Sequence, residues 1–206
     1  MAVEFRGCKN LVYAEVTKDD NETSGGYITG TVKNLAPVAE ISKNVETSSE
    51  AKYYDNKAAI VIDSEGKDTV TFTIAVPDDE TLADIEGRTY DSVKKMFIES
   101  EKKTKYFAVG YILGEKGEGD DERYVWRYKG TFNIPDETSA TENDGTDTNN
   151  MSLVFTGIYT DHIFTNGKGT GAKGAAKAAF IRESSNVATA DKWFEQVSTP
   201  DTTFGA

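Results

Sequence analysis

The sequence predicts a mainly β (α+β) fold, an antiparallel β-sandwich or partial barrel with a flanking short helix. The first observation is alternation of period two, as in residues 70–76, where Val70, Phe72 and Ile74 share one face and threonines occupy the other. The second is composition: 37% apolar and 11% aromatic residues suit a β-rich domain with exposed polar strand faces. The third is the lack of regular β-α alternation, which disfavours a doubly wound sheet.

The N-terminal half predicts several strands separated by a long loop. Residues 7–16 form the first strand, and shorter strands are expected at residues 27–32 and 58–63. The turn-forming residues 64–68 are expected to join the strand at 58–63 to the strand at 70–76 as a hairpin. Residues 40–57 are polar except at four positions and predict a long loop. These positions are Ile41, Val45, Tyr53 and Tyr54.

Residues 77–98 interrupt the strands with helical signals. Pro77 ends the preceding strand, Asp78 is a good N-cap, and Gly87 is a typical C-terminal stop. Two further acidic residues follow Asp78, where the helix dipole favours negative charge. A second helical stretch is predicted at residues 90–98, because Val93 and Phe97 have i, i+4 spacing.

The C-terminal half predicts three more strands and a separate arm. Strands are expected at residues 105–113, 124–134 and 153–159. In the second of these, one continuous face is aromatic or apolar: Tyr124, Trp126, Tyr128, Phe132 and Ile134. Residues 136–150 contain five carboxylates and no Lys or Arg, so they predict a second long loop, facing solvent.

The chain divides by composition into two parts. Residues 1–164 form the β domain, with its long loops at 40–57 and 136–150. Residues 165–206 begin as a Gly-rich linker and continue as a C-terminal arm. Within this arm, a last strand is expected at residues 178–183 and a short helix at 190–197.

Charge and cysteine content narrow the function classes. A net charge of −12 and a sequence pI near 4.6 disfavour a protein that grips nucleic acid with clustered cations. Cys8 is the single cysteine, so no intrachain disulfide forms. The chain has no secretory signal pattern and no stretch approaching ~18 apolar residues. We expect a soluble protein of a reducing compartment.

The motifs that carry chemistry are weak, and we expect no enzyme activity, no cofactor and no metal. His162 is the only histidine, and no Gly-x-Ser-x-Gly elbow accompanies it. Residues 169–174 fit G-x-G-x-x-G, but no β-α-β unit surrounds them, so a flexible linker is favoured. One Cys and one His exclude a conventional zinc site. Residues 143–149 resemble a calcium loop but lack its bidentate Glu.

Five strings, taken in order, resemble the major tail protein (tail-tube protein) of long-tailed, non-contractile bacteriophages. They are KNLVYA from Lys9, TGTVKNLAPVAEIS from Thr29, SEAKYYDNKA from Ser49, VTFTIAVPDDETLADIEG from Val70, and the Trp-Phe-x-x-Val-x-Thr-Pro ending from Trp193. The resemblance covers residue 7 to about 163 and resumes near residue 180. It implies a phage tail-tube-like fold and a structural virion protein, with no enzymatic activity.

The resemblance also implies how such a chain works and with what. Subunits form hexameric rings in which strands of several copies complete one β-barrel, and the rings stack into a tube that conducts DNA during ejection into the host. The implied partners are the chain itself and the tape-measure, tail-tip and tail-terminator proteins, while DNA passes through the lumen without specific binding. The location is the virion tail, assembled in the host cytoplasm, with no membrane partner. An acidic lumen would let DNA slide.

The candidate site residues are contacts between subunits. The loop at residues 40–57 matches the family's loop that reaches the neighbouring ring, and apolar residues near both termini could dock on another subunit or on their own domain. The candidates are Val3, Phe5, Ile41, Val45, Tyr53, Tyr54, Trp193, Phe194 and Val197. The alternative function is a monomeric β-sandwich binding module for carbohydrate or a cell surface, which would use the aromatic face at residues 124–128.

Overall fold

The computed structural model describes residues 4–21, 25–54, 57–117, 120–135, 150–164, 174–185 and 190–202, without the side chains of residues 58 and 59. Eleven strands and one α-helix follow in chain order within these ranges. They are β1 Glu4–Asp19, β2 Tyr27–Thr29, β3 Lys33–Asn34, β4 Val38–Tyr54, β5 Lys57–Ile74, α1 Asp79–Glu86, β6 Thr89–Asp91, β7 Met96–Ile98, β8 Phe107–Lys116, β9 Asp121–Phe132, β10 Met151–Gly157 and β11 Ala178–Arg182.

Nine of these strands form one antiparallel sheet that does not close into a barrel. Its order is β2-β1-β8-β9-β10-β5-β4, with β3 paired to β1 and β11 paired to β9. One edge of β9 is shared, because its residues 130–132 pair with β10 and its residues 123–127 pair with β11. The prediction of a mainly β, antiparallel fold with one short helix is confirmed.

The core consists of two apolar clusters. The first contains Val70, Phe72 and Ile74 of β5 together with Leu153 and Phe155 of β10. The second lies against the other face of β1, β8 and β9 and includes the following residues: Val12, Ala14, Ala108, Trp126, Tyr128, Phe164, Trp193 and Val197. Strand alternation accounts for the division, since Leu11 and Tyr13 belong to the first cluster while Val12 and Ala14 belong to the second.

The prediction of one continuous aromatic face along β9 is wrong at the C-terminal end of the strand. Trp126 and Tyr128 pack in the second cluster, but Phe132 packs in the first. The pairing of β9 with β8 shifts register between Phe107 and Val109. Such a bulge reverses which face the following side chains occupy, and Ile134, beyond the strand, is exposed.

Helix α1 is capped as the sequence predicts. The Asp78 side chain accepts a hydrogen bond from the Thr81 amide at 2.9 Å, and Gly87 takes the left-handed conformation at φ 70°. The helix predicted at residues 90–98 is wrong, because β6 and β7 pair there as a small hairpin. The Asp91 carboxylate accepts the amides of Val93 and Lys94, which stabilises the turn between these strands.

The long loop predicted at residues 40–57 is also wrong, since those residues up to Tyr54 belong to β4. Strand β4 pairs with β5 from Val38 opposite Ile74 to Tyr54 opposite Lys57. Residues 64–68, predicted as a turn, lie inside β5. The polar composition reflects a two-stranded ribbon with solvent on both faces, which lacks the alternation that marks a half-buried strand.

The C-terminal segment follows the predictions in part. Strand β11 confirms the strand expected at residues 178–183. Residues 191–197 form successive hydrogen-bonded turns and not a regular helix, with the Trp193 amide donating to the Ala190 carbonyl at 3.1 Å. The predicted loop at 136–150, except Asn150, and most of the predicted linker at 165–175 lie outside the described residues.

Candidate assembly surfaces

The β4–β5 ribbon extends beyond the core as an arm, which we define as the paired residues 47–54 and 57–65. Eight residues of β4, from Thr47 to Tyr54, pair along it, and at ~3.3 Å per residue the arm is roughly 26 Å long. Its large apolar side chains are exposed: Tyr53 69%, Tyr54 61%, Ile60 50%, Val61 58% and Ile62 52%. Among the described residues no further layer covers these side chains, and an isolated two-stranded ribbon is only marginally stable in water.

The two faces of the arm differ in apolar content. Lys52 lies opposite Ile60, and Glu50 lies opposite Ile62, so by alternation these residues share a face with Tyr54. The other face carries Tyr53 and Val61. The Glu50 and Lys52 side chains form an ion pair at 2.5 Å beside the two isoleucines. The face with Tyr54, Ile60 and Ile62 thus carries three large apolar side chains against two on the other face, together with this ion pair.

A buried carboxylate, Asp68, holds the base of the arm to the sheet. Arg127 Nη1 of β9 donates to Asp68 Oδ2 at 2.8 Å, and Lys177 Nζ donates to Oδ1 at 3.1 Å. Lys43 Nζ of β4 lies 3.3 Å from the same carboxylate. Because Asp68 is only 2% exposed, these contacts operate away from solvent and join β5 to β9 and to the segment just before β11.

The charge state of Asp68 follows from this arrangement. Burial by itself would raise the pKa of Asp68, but hydrogen bonds from Lys177 and Arg127 and the charge of Lys43 outweigh it. The net pKa lies below the usual range of an aspartate. The carboxylate is ionised at neutral pH, and it compensates the two buried cations Arg127 and Lys177.

A cavity of about 650 Å³ lies between the arm base and the strands β8, β9 and β11. Its apolar lining includes Tyr111, Leu113 and Val125, and the exposed rings of Phe5 and Phe180 also contribute to it. The polar part of its lining consists of charged side chains from β4, β5 and β9 and from the residue just before β11. These are Lys43, Glu65, Asp68, Arg123, Arg127 and Lys177.

Arg123 connects the two exposed rings at this cavity. Its guanidinium lies 4.8 Å from the centroid of the Phe5 ring and 4.5 Å from that of Phe180. The Glu115 carboxylate, 1% exposed, forms ion pairs with Arg123 and, at 2.7 Å, with Arg182. The hydrogen bond from Arg182 is the largest reason that the pKa of Glu115 is lowered. Phe5 and Phe180 are thus held in place while remaining half exposed.

The C-terminal strap, residues 190–202, packs on the second cluster of its own chain. Trp126 Nε1 donates to the Trp193 carbonyl at 2.8 Å, and the Tyr128 hydroxyl donates to the Ser198 carbonyl at 3.2 Å. Trp193 is 4% exposed and Val197 is 6% exposed. Trp193, Phe194 and Val197 were expected to dock either on another subunit or on their own domain. In the structure they dock on their own domain.

The predicted contact residues thus separate into distinct environments. Tyr53 and Tyr54 are exposed on the arm, and Phe5 is exposed at the cavity. Ile41 packs against the first cluster, and Val45 is half-buried near the arm base. Val3 lies outside the described residues. Ile60, Val61 and Ile62 were not predicted as surface residues. Their uninterrupted apolar run was the available signal, but such a run is also typical of a buried strand.

The aromatic face at residues 124–128, which the binding-module alternative requires, is largely covered. Trp126 and Tyr128 are fully buried beneath the strap, and the Tyr124 ring packs 5.8 Å from that of Phe194. This face is core.

His162, the residue considered for catalysis, is buried beside the strap. Its Nε2 lies 3.2 Å from Asp201 Oδ2, and its ring packs edge-on against Phe164. Among the described residues, no cluster of three or more His, Cys, Asp or Glu side chains could hold a metal ion. Within the same residues, no helix has the length and apolar character needed to cross a membrane.

No model of a known protein family matches the chain, and no curated protein matches it.

Proposed function

We propose that this chain is a structural subunit that polymerises as stacked rings into the tail tube of a long-tailed, non-contractile bacteriophage, a conduit for DNA ejection. The observation that carries the proposal is the β4–β5 arm, an exposed ribbon whose apolar side chains have no cover within the described part of its own chain. The role is not enzymatic. The proposed location is the virion tail, after assembly in the host cytoplasm.

An open sheet edge supports assembly between copies. Strand β4 pairs with β5 on one side, and its other edge has no strand partner among the described residues. Unpaired edges of this length invite pairing with another chain, and a continuous barrel made from several subunits would satisfy them. Head-to-tail contacts that close by rotation then give a ring.

The outer face of β10, β5 and β4 is the proposed lumen surface. Its cross-strand rows are almost entirely polar: Ser152–Thr73–Glu40, Val154–Thr71–Ser42 and Thr156–Thr69–Asn44. The opposite face of β10 and β5 packs in the first cluster. Within these three rows Glu40 is the only charged side chain and none is cationic, so they offer DNA phosphates no cation to bind and let DNA slide. Tape-measure, tail-tip and tail-terminator proteins are the proposed further partners.

Negative-stain microscopy of the purified chain tests the proposal. We expect rings or tubes, whereas a monomeric module stays at 22.5 kDa. A matched variant replaces residues 48–64 by Asn-Gly, a two-residue turn that suits the Thr47–Glu65 pair. Because it keeps Glu65 for its 2.7 Å contact with Lys177, it should fold but form no tubes. Normal tubes from this variant, or only monomers from the unaltered chain, would contradict the proposal.

A further inference from the structure

We propose that the cavity beside Asp68 binds a small amphipathic anion, namely a carboxylate of single negative charge with a linear apolar tail. The lining of the cavity sets this ligand class, because it joins an apolar wall to a charged cluster in which cations are in excess. The site goes beyond the proposed function, since it lies within a single chain and does not require assembly.

The cavity has a buried side and an exposed side. Tyr111 and Val125 are buried and form its floor, whereas the rings of Tyr159 and Phe180 are exposed and form its mouth. Its volume of about 650 Å³ is typical of small-molecule sites. An apolar tail that passes from the mouth to the floor would therefore be removed from water.

The charges around the cavity favour an anion over a cation. The lining includes four cations and two carboxylates, a net charge of +2. Glu115 lies outside the lining and forms an ion pair with Arg123. Even when this carboxylate is counted, one cation remains without a matching anion. A singly charged anion would balance the cluster, and a cationic ligand would be repelled.

Arg127 and Lys43 supply donors for the anionic group. Arg127 Nε donates to the Tyr111 hydroxyl at 3.1 Å and Nη1 donates to Asp68 Oδ2 at 2.8 Å, while Nη2 donates to no atom of the described residues. Lys43 Nζ lies 3.3 Å from the same Asp68 Oδ2. Because one oxygen joins Arg127 and Lys43, a ligand carboxylate can contact both side chains through charge-assisted hydrogen bonds.

Equilibrium dialysis of the full chain against radiolabelled octanoate tests the site. Octan-1-ol and octylammonium are the matched probes, since they have the same apolar chain with a neutral or a cationic head. We expect a single octanoate per chain, bound about tenfold more tightly than octan-1-ol, which is the effect of one hydrogen bond to a charged group. Octylammonium should bind more weakly than octan-1-ol.

Two variants with matched controls locate the binding. Ala178→Trp fills the cavity and should remove octanoate binding, whereas Ala175→Trp, at an exposed position outside the lining, should preserve it. Lys43→Gln should weaken octanoate binding about threefold, as expected for a partly exposed cation, and leave octan-1-ol binding unchanged. Its control is Lys67→Gln, an exposed lysine of β5 outside the lining, which should change neither.

Several results would overturn the inference. They are the absence of octanoate binding to the unaltered chain, and equal affinity for octanoate and either of the other probes. Equal losses in Lys43→Gln and Lys67→Gln would overturn it as well, and this comparison holds even if Ala178→Trp does not fold. Octanoate binding that persists in a folded Ala178→Trp protein has the same consequence. Because dialysis measures monomers and tubes alike, the outcome is independent of the proposed function.

Discussion

Replacing Asp68 by asparagine should destabilise the fold strongly, because two buried cations would lose their compensating charge. Arg127 is 5% exposed and Lys177 is 8% exposed. Removing one partner of a buried ion pair costs about 3–5 kcal/mol. Arg127 keeps its 3.1 Å hydrogen bond to the Tyr111 hydroxyl, and Lys177 keeps Glu65 at 2.7 Å. We therefore expect the lower end of that range, about 3 kcal/mol.

The assay is thermal and urea unfolding of the full chain at pH 7. For a chain of this size, 3 kcal/mol corresponds to a fall in melting temperature of roughly 6–12 °C. The matched control is Asp63→Asn, which neutralises an exposed carboxylate on the same strand and should change stability by less than about 0.5 kcal/mol. A loss below about 1 kcal/mol for Asp68→Asn would show that water, and not the carboxylate, compensates the two cations.

The same comparison has a defined pH dependence. The pKa of Asp68 is lower in the folded chain than in the unfolded chain, so its contribution is complete above the unfolded pKa of about 3.9. That contribution is lost as the pH falls through the folded value. The stability difference between the unaltered chain and Asp68→Asn should be constant near neutral pH and shrink below about pH 4. A difference that stays constant into acid would refute the role assigned to the ionised form.

Two further substitutions test the strap and the helix end. Trp193→Ala should lower the free energy of unfolding by about 3–5 kcal/mol, because it leaves a cavity in the second cluster. As a control, Glu195→Ala at an exposed neighbouring position should be nearly neutral in the same unfolding titration. Equal effects of the two substitutions would refute the packing argument. Gly87→Ala should cost more than the roughly 1–2 kcal/mol of a left-handed alanine, because the new Cβ would lie 2.0 Å from the Lys103 carbonyl oxygen. Gly25→Ala, at φ 66° with open space around it, should show the backbone cost alone.

The candidate assembly surfaces could be foreseen only in part. Tyr53 and Tyr54 attract notice as aromatic residues in a polar stretch, and the structure exposes both. The run from Ile60 to Ile62 was expected within a short strand at residues 58–63, but its exposure was not foreseen, since burial depends on whether another layer covers it. Asp68 was assigned to a turn. Its partners lie 59 and 109 residues away in the chain, so no local pattern could identify the network or the cavity beside it.

The sequence alone determined those features whose stability depends on residues close together in the chain. Helix α1 begins after Asp78 and ends at Gly87 because capping depends on neighbouring residues. Alternation likewise separated the faces of β1 and β5, since side chains on a strand point to opposite sides. Tertiary structure alone decided the rest. Contacts between distant segments produce the register shift that turns Phe132 to the other cluster, the pairing of residues 47–54 with 57–65 as an arm, and the docking of the strap.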